Sequence, residues 1–470
     1  MAATSPASSS GGPGRPNARG TSRPRQRAFA SLSIRNFRLF WWGQVISVSG
    51  TFMQSTAQQW LVLTLAPKNP LALGVTGALQ FGPILFLGPL TGMLIDRYPR
   101  RNILFGTQAV AGLQALVMWA LTATHVVQLW HVYALALLLG IVNAVDTPAR
   151  QAFVSEMAPS SHLLNAISLN SVQFNVARIV GPAVAGGLIA LLGIPLLFLL
   201  NALSFIAVIG GLAMMRVSEL YAVPRVHGGA GLRGVGEGMR FIWDNRDVRI
   251  TFFLLAVVGL LGFNFNVLLP LEAKLTLHAG PTEFGLLSSA LGAGALVGAL
   301  ALARRSGKPT HAILIGTALV FGVFESLAGL MGTLIPAMIF IAATGAMMSS
   351  FSASANTTTQ LSTPPEMRGR VMSVYMMIFM GTTPFGNLAV SSIAAAFGTP
   401  TSFLASGIPC SVAAIIALLL WRREGRRVPA QVAIPTSEPL SVESALRASA
   451  ETDLGAEVVP QTAEAESGGE

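Results

Sequence analysis

The sequence predicts an all-α membrane protein with twelve transmembrane helices in two pseudo-symmetric six-helix bundles. Its 470 residues are 52% hydrophobic and 11% charged, whereas soluble domains carry about 25% charged residues. About twelve apolar stretches lie between Phe37 and Trp421, and each has the roughly 20 residues that a helix needs to cross hydrocarbon. The stretches must be helical, because backbone groups in lipid find no water to bond.

Positive charge supports this count and fixes an orientation. If the spans alternate across the bilayer with the N-terminus inside, all but three of the 30 Lys and Arg fall in the tails and the even-numbered loops. The exceptions are Lys68 and Lys274 in odd-numbered loops and Arg178 within a span. Because cytoplasmic loops retain Lys and Arg, we expect a multi-pass protein of the cytoplasmic (inner) membrane with both termini cytoplasmic.

The predicted elements follow in chain order. A disordered basic tail over 1–36, which has no apolar core typical of a signal peptide, precedes a bundle over 37–215. A cytoplasmic linker over 216–249 leads to a second bundle over 250–421 and a disordered tail over 422–470. The predicted spans are 38–65, 73–95, 102–123, 128–147, 165–192, 194–215, 250–270, 284–303, 310–332, 334–356, 371–397 and 400–421.

The linker and the two halves carry further patterns. Apolar residues recur at helical spacing from Leu232 to Ile242, which predicts an amphipathic helix on the inner membrane surface; a solvated linker is the alternative. Pro159–Leu169 aligns with Pro364–Val374, and the same offset relates Gly181 to Gly386. This weak repeat indicates duplicated halves, and such repeats place a substrate site between them.

The loop after the second span contains a candidate gate. It reads Gly92-Met-Leu-Ile-Asp96-Arg97-Tyr-Pro-Arg100-Arg101. Gly92 permits close helix packing, and Asp96 can face the positive N-terminus of another helix. The arginines can pair with acids when the inner gate closes; a generic positive-inside cluster is the alternative. The loop resembles the signature loop of the major facilitator superfamily, and its second copy retains Arg304 and Arg305 with Ala303 in place of the acid.

The fifth span contains a second motif of small residues. Arg178-Ile-Val-Gly181-Pro182-Ala-Val-Ala-Gly186-Gly187 is similar to the superfamily's antiporter motif, although the spacing departs by one residue unless Ala185 and Gly186 form the final pair. Glycine removes side chains and proline bends a helix, so the segment predicts a smooth surface for packing. The resemblance implies export, and ordinary helix packing is the alternative.

Three other segments narrow the resemblance: Asn36–Gln44, Asn143–Arg150, and Arg368-Gly-Arg370-Val-Met-Ser373. Together with the fifth-span motif they resemble the enterobactin-exporter-like branch of the superfamily, which includes siderophore and multidrug efflux proteins. The resemblance covers about 31–425 and implies two six-helix bundles and proton-driven export. The superfamily's usual arginine in the fourth span is missing from 128–147, which leaves the standard proton relay unassigned.

Polar residues within the spans predict the substrate site. Ser47, Thr51, Gln54 and Gln58 form one stripe on the first span, and Asn264 and Asn266 of the seventh span should face it. Asn170, Phe174 and Arg178 share a face of the fifth span, where the arginine can bind an anionic substrate or serve a structural role. A neutral cavity of this kind suits a bulky amphipathic solute; hydrogen bonding between helices is the alternative for the stripe.

Carboxylates in or near the spans are the candidates for proton coupling, because arginine stays charged. Glu325 lies in the outer half of the ninth span. Asp146 lies at the inner end of the fourth span and is expected either to pair with Arg97 or Arg101 or to carry a proton. Solvation at a cavity mouth is the alternative for Glu325.

The sequence contains no Walker loop, metal cluster or nucleophile triad, and Cys410 is its only cysteine. We therefore expect no enzyme activity, no cofactor and no metal. The expected partners are a small-molecule substrate, protons and the lipid bilayer. We expect no nucleic-acid partner, and we expect the protein to be a monomer. The predicted function is proton-coupled export by alternating access. An uptake transporter for a polar solute and a non-transporting membrane sensor are the alternatives.

Overall fold

A computed structural model describes residues 29–221, 232–305 and 310–425, and within these ranges the regular elements are helices. A short 3₁₀ turn, Ala30–Ser33, precedes the first half of the molecule. The helices of that half are α1 (Arg35–Leu65), α2 (Leu71–Arg97), α3 (Arg100–Ala123), α4 (Leu129–Met157), α5 (Ser160–Leu192) and α6 (Pro195–Ala213).

The second half contains interrupted helices. A 3₁₀ turn, Val217–Glu219, and the linker helix α7 (Leu232–Asp244) precede it. Its seventh span joins α8 (Arg246–Val257), a π-turn at Val258–Gly262, α9 (Phe265–Leu271) and a second π-turn at Glu272–Thr276. The remaining helices are α10 (Pro281–Arg304), α11 (His311–Ala328), α12 (Leu334–Leu361), α13 (Pro365–Gly381), α14 (Thr383–Phe397) and α15 (Thr399–Gly425).

Ten helical segments in the described ranges are long and apolar enough to cross a membrane. Two further segments complete the predicted twelve. The first is α1, whose amides, hydroxyls and arginines lower its hydropathy. The second is the pair α13 and α14, which is divided at Thr382 into helices that are each too short to count alone. The fold predicted from the apolar stretches is therefore present in the chain.

Several boundaries differ from the prediction. The fourth helix continues through Pro148 to Met157, ten residues beyond the predicted 147, and the seventh span reaches Thr276 rather than 270. Apolar windows mark only the part of a helix within hydrocarbon, whereas helices continue where their polar residues meet water or protein. Most of the predicted tails and part of the linker, together with Lys308, lie outside the described residues.

The chain to Leu418 forms one compact unit, and a second unit begins at Leu419. We call the end of the first unit at which α1 begins the proximal end and the opposite end the distal end. The two halves meet through α5 with α10 and through α2 with α14. A Cβ at Gly186 would lie 2.5 Å from the Pro281 carbonyl oxygen, and one at Gly77 would collide with Asn387. The halves are therefore closely packed at the distal end.

Polar and aromatic contacts add to this distal packing. Lys274 Nζ donates a 2.8 Å hydrogen bond to the Leu63 carbonyl oxygen at the end of α1. The same ammonium lies 5.2 Å from the Trp60 ring centre, and Trp60 stacks on Phe284 of α10 at 5.8 Å. Every glycine in the described ranges that approaches the other half closely does so at the level of Leu85 or farther toward the distal end.

The linker helix α7 lies against α13. A Cβ at Gly238 would lie 2.8 Å from the Arg370 carbonyl oxygen, and the Arg370 guanidinium is 2.7 Å from the Glu237 carboxylate. Ile242 is buried, whereas Met239 and Trp243 are exposed. The helix lies in the predicted linker, and its placement on a membrane surface stays a prediction.

Candidate functional site

A central cavity of about 870 Å³ is the candidate site. All six helices of the first half contribute residues to its wall, and Asn266 is the lining residue from the second half. Of the nine side chains predicted to line a cavity, six do so: Thr51, Gln54, Gln58, Asn170, Phe174 and Asn266. The cavity is therefore built largely by one half.

Amide side chains cross-link the helices behind the cavity surface. Gln54 of α1 donates to Gln114 of α3 at 3.0 Å and accepts from Asn201 of α6 at 2.7 Å. Gln58 donates to Gln80 of α2 at 3.3 Å. Each bond joins two helices, so the polar stripe of α1 serves both of the predicted roles, helix association and cavity lining. Buried amides of this kind hold the wall in one arrangement.

One ion pair lies in the cavity wall, between Asp146 and Arg150 of α4. The Arg150 guanidinium binds the Asp146 carboxylate through Nε at 3.0 Å and through a second nitrogen. Thr107 and Gln108 of α3 donate to the other carboxylate oxygen at 2.6 and 2.7 Å. Arg150 also binds Gln44 of α1. The cluster joins three helices and contributes no net charge to the cavity.

This arrangement corrects two predictions. Asp146 does not pair with Arg97 or Arg101, because Arg150 lies one helical turn away on the same helix and occupies it. The fourth helix does contain an arginine, since α4 continues past the predicted end. Arg101 instead donates to the Leu212 carbonyl oxygen at 2.8 Å, and Arg97 lies 5.8 Å from the Tyr98 ring centre.

The other gate residues are dispersed in this conformation. Arg100 binds Glu156 of α4 at 2.9 Å. Arg304, Arg305 and Arg368 are exposed, while Arg370 binds the linker helix. A Cβ at Gly92 would meet open space, so this glycine does not serve close packing here. The Asp96 backbone lies in the last turn of α2, and its side chain lies outside the described part of the molecule.

Three predicted cavity residues lie elsewhere. Ser47 is buried within the first half, because it falls behind the stripe that Gln44, Thr51 and Gln58 present to the cavity. Asn264 is buried against α14, where a Cβ at Gly386 would collide with its side-chain amide. The π-turn at Val258–Gly262 changes the helical phase of the seventh span, which turns Asn264 away and leaves Asn266 at the cavity.

Arg178 lies just beyond the cavity lining. The lining residues Ile167, Ser171 and Phe174 form one stripe of α5, and Arg178 is the next residue of that stripe toward the distal end. Its side chain is partly buried and makes no hydrogen bond or ion pair with the described residues. The backbone carbonyl of Arg178 lies close to Gly292 of α10.

The small residues after Arg178 divide into packed and open positions. A Cβ at Gly181 would lie 2.7 Å from Phe52 Cβ of α1. Gly186 packs on Gly285 of α10, and the Pro182 carbonyl lies against the same glycine. A Cβ at Gly187 would meet no atom within 4 Å. Gly186 is therefore the packed position of the two glycines, and Ala185 beside it is buried.

Glu325 lies apart from the cavity. Its side chain on α11 is completely buried, and neither carboxyl oxygen has a hydrogen-bond partner. Glu272 falls beyond residue 270, the predicted end of the seventh span, but the structure buries it completely in the π-turn that ends this span. Asp146 is thus the proton-coupling candidate at the cavity, and Glu325 the candidate within the second half.

Sequence reasoning missed several residues of the wall. Arg150 and Gln44 belong to motifs but were not predicted to lie at the cavity, and neither were Gln80, Gln108, Gln114 and Asn201. A systematic search for amides within the spans could have found these four, because unpaired amides are costly in lipid. The aromatic part of the wall includes Phe52 and Phe174, whose rings meet edge to face at 5.3 Å.

The chemistry of the cavity is neutral, amide-rich and aromatic. Such a surface can bind an apolar body through its rings and a polar group through its amides. Among the described residues, no group of three or more His, Cys, Asp or Glu could hold a metal ion. The arrangement therefore fits binding of an amphipathic molecule.

Comparison with known proteins gives a consistent result. A family model described as "Transmembrane secretion effector" matches residues 26–448. The chain is 26% identical over 371 residues to the staphyloferrin A transporter of Staphylococcus aureus, covering 76% of this chain and 89% of that protein. It is also 26% identical over 396 residues to the multidrug efflux pump Tap of Mycobacterium tuberculosis, covering 80% of this chain and 91% of the relative.

Among solved structures, the fold is similar to that of a bacterial homologue of the human lysosomal transporter Spinster, in an inward-facing and unoccupied conformation. The TM-score is 0.67 at 13% sequence identity, and the match covers 84% of this chain and 99% of the other. At this identity the likeness concerns the fold alone.

Proposed function

Because the chain belongs to the transmembrane secretion effector family of the major facilitator superfamily, and is thus a small-molecule transporter and not an enzyme, we propose that it exports an amphipathic molecule from the cytoplasm. The observation that carries this proposal is the cavity, whose amides and aromatic rings surround a single internally neutralised ion pair. A relative described as a multidrug efflux pump supports the direction.

The proposed cycle is alternating access. The contacts Lys274–Leu63 and Gly186–Gly285 close the distal end, while the gate loop between α2 and α3 lies at the proximal end. With both termini cytoplasmic, as the charge distribution predicts, the cavity takes its substrate from the inside. Rocking of the halves then breaks the distal contacts and releases the substrate outside.

Proton entry is the proposed energy source. Asp146 is the carboxylate in the cavity wall, and Arg150, Thr107 and Gln108 all donate to it. Protonation would remove the charge that Arg150 binds and leave Gln44 of α1 as the remaining partner of the guanidinium. A proton at Asp146 would therefore change the contacts between α1, α3 and α4, which makes Asp146 one candidate proton carrier; the completely buried Glu325 is the other.

The experiment is transport by the purified full chain in proteoliposomes, with ethidium as the first probe and a panel of amphipathic dyes and drugs after it. An imposed proton gradient should drive dye movement opposite to the proton flow. Dye movement in the same direction as the protons would favour the uptake alternative. If no compound in the panel moves, the proposed export is wrong.

Two threonines of α1 provide a matched pair for the binding site. Thr51 lines the cavity and Thr64 does not, yet each hydroxyl donates at 2.9 Å to the carbonyl four residues earlier. Thr51→Val should weaken dye binding about fivefold, the loss expected for one hydrogen bond. Thr64→Val should leave binding unchanged. An equal effect of the two substitutions would show that the dye does not bind in this cavity.

A further inference from the structure

The two halves of the molecule differ in where their polar groups lie. The first half places its amides and its ion pair around the cavity, to which the second half contributes Asn266. The second half instead encloses completely buried carboxyl groups, among them Glu325. A buried polar group in a membrane protein is costly unless it has a partner, so Glu325 requires an explanation that the cavity does not supply.

Glu325 lies between two close contacts of α11 with α15. Gly322 of α11 and Gly407 of α15 meet backbone to backbone, and the Ser411 hydroxyl donates at 3.2 Å to the Leu319 carbonyl oxygen. Phe403 covers Gly329 one helical turn farther toward the distal end. These contacts fix the register of the two antiparallel helices around Glu325.

That register places Ser406 at the level of Glu325. Phe321 and Cys410 meet over Gly262 of the seventh span. One helical turn toward the distal end from that meeting point comes Glu325 on α11 and Ser406 on α15. Both side chains are completely buried, and neither the Glu325 carboxyl oxygens nor the Ser406 hydroxyl has a hydrogen-bond partner.

The described elements packed on α11 bring no cation to this point. The helix α12 has no ionisable side chain, and neither does the π-turn at Val258–Gly262. On α15, Cys410 is the titratable residue before Leu418. His311 on α11 pairs with Asp247 of α8 at the proximal end, at 3.6 Å, and Arg246 and Arg249 lie at that same end of α8. An ionised Glu325 would be an uncompensated charge, so a bound cation must neutralise it.

We propose that Glu325 and Ser406 form the coupling-cation site of the transporter, in the second half and apart from the substrate cavity, and that the cation is a proton. This rests on the proposed function. A protonated carboxyl fits the packed interior because it adds no atom larger than hydrogen. Phe403 packs on Gly329 on the distal side of the site, and opening of the distal end would expose the site to the outside.

With the coupling proton on Glu325 rather than on Asp146, coupling would operate between the halves and not within the cavity wall. With the proton site in the second half and the substrate in the first, the two ligands do not compete for the same side chains. Each would act by stabilising one arrangement of the halves. Removing Glu325 should therefore uncouple transport from the proton gradient while substrate affinity stays unchanged.

The first test measures protonation without a substrate. The full chain in lipid vesicles is treated with dicyclohexylcarbodiimide, which modifies protonated carboxyl groups in apolar surroundings, and the Glu325 peptide is quantified by mass spectrometry. Modification near neutral pH that decreases as pH rises is expected, with Glu325→Gln as the blank. No modification at any pH, or protection by Na⁺ at constant pH, would overturn the proton site.

The second test measures coupling with ethidium, or with the panel compound that the wild type transports. Glu325→Gln should lower gradient-driven transport about tenfold and leave the Kd for the dye unchanged, and Glu325→Asp should retain part of the response. Ser406→Ala should weaken the response, whereas Ser402→Ala, which removes a hydroxyl bonded to the Val390 carbonyl, should not. Full coupling in Glu325→Gln would overturn the inference.

The two tests separate failure of this inference from failure of the proposed function. If the wild type moves no compound, export fails, while the labelling of Glu325 still reports whether the site holds a proton. If transport follows the gradient in Glu325→Gln, export stands and the site in the second half is wrong. The exposed Glu366→Gln variant controls for loss of a carboxylate that lies outside both sites.

Discussion

The Asp146–Arg150 pair is the residue-scale feature on which the cavity depends. Asp146 is 5% exposed and Arg150 27% exposed at the side chain, so the pair is little screened by water. Asp146→Asn should lower the free energy of unfolding by about 2–5 kcal/mol, because it leaves Arg150 charged without a counter-ion. Thermal unfolding of the solubilised protein measures this.

A double substitution checks the cause of that loss. Asp146→Asn combined with Arg150→Gln should recover much of the stability, since no uncompensated charge remains. If the two losses simply add, the pair is not coupled and the charge argument fails.

Arg178 gives the opposite expectation for stability. Its guanidinium has no partner among the described residues and lies at the distal end of the cavity stripe. Arg178→Ala should not lower thermal stability, because it removes no hydrogen bond or ion pair with the described residues and relieves the desolvation of an unpaired charge, and it should abolish transport. Arg100→Ala is the matched control, because Arg100 binds Glu156 and the Ala152 carbonyl and its loss should destabilise the fold. A destabilised Arg178→Ala would indicate a structural role instead.

Helical spacing predicted part of the site at this scale and failed where the helix itself departs from regularity. Thr51, Gln54 and Gln58 recur at helical intervals, so their shared face could be inferred from the sequence. The place of Arg150 at the cavity was not predicted, because a proline such as Pro148 usually marks a helix end. Neighbouring helices allow this span to continue past it. Asn264 was wrongly predicted to face the cavity, because no sequence pattern indicates the π-turn that precedes it.

At the element scale, the close approach of α5 and α10 provides a sharp comparison between adjacent glycines. A Cβ at Gly186 would lie 2.5 Å from the Pro281 carbonyl oxygen, whereas one at Gly187 would meet open space. Gly186→Ala should cost about 1–3 kcal/mol of distal packing, as overpacked sites do, and should shift the population toward an open distal end. Accessibility of a distal cysteine to a thiol reagent measures the shift. An equal response of Gly187→Ala would contradict the described packing.

The loop after α2 is expected to act in the other conformation. Gly92 has open space beside it here, so Gly92→Ala should not change the thermal stability of this state. We expect Gly92→Ala and Asp96→Asn each to slow transport, because the loop would pack only when the proximal end closes. A shift of roughly 1–3 kcal/mol between the two states is the usual size of such couplings. Wild-type transport rates in both variants would show that the loop only sets the orientation of the spans and does not act as a gate.

The order of the elements could be predicted because hydrocarbon thickness and charge exclusion act locally on the sequence. Ten segments are recognisable by length and apolarity, and the positive charges fix which loops share a side. The division of α13 from α14 at Thr382 could not be predicted, because breaks in a span depend on which neighbours satisfy the backbone. The distal closure also depends on contacts between residues far apart in the chain, such as Lys274 and Leu63.

At the scale of the whole molecule, the two halves have distinct roles in this account. The first half surrounds the substrate with neutral polar groups, and the second encloses the proposed proton site. The contacts between them are concentrated toward the distal end. The central claim is that the halves exchange this closure for one at the proximal end during transport.

Spin-label distances between the halves test that claim most directly. In a Cys410→Ser background, one pair at exposed Lys68 and Leu330 would report on the distal end, and a second at exposed Tyr98 and Glu366 on the proximal end. Lowering the pH with a transported compound present should lengthen the first distance and shorten the second in the same sample. If both distances stay fixed under conditions in which the same protein transports, alternating access by rocking of the halves is contradicted.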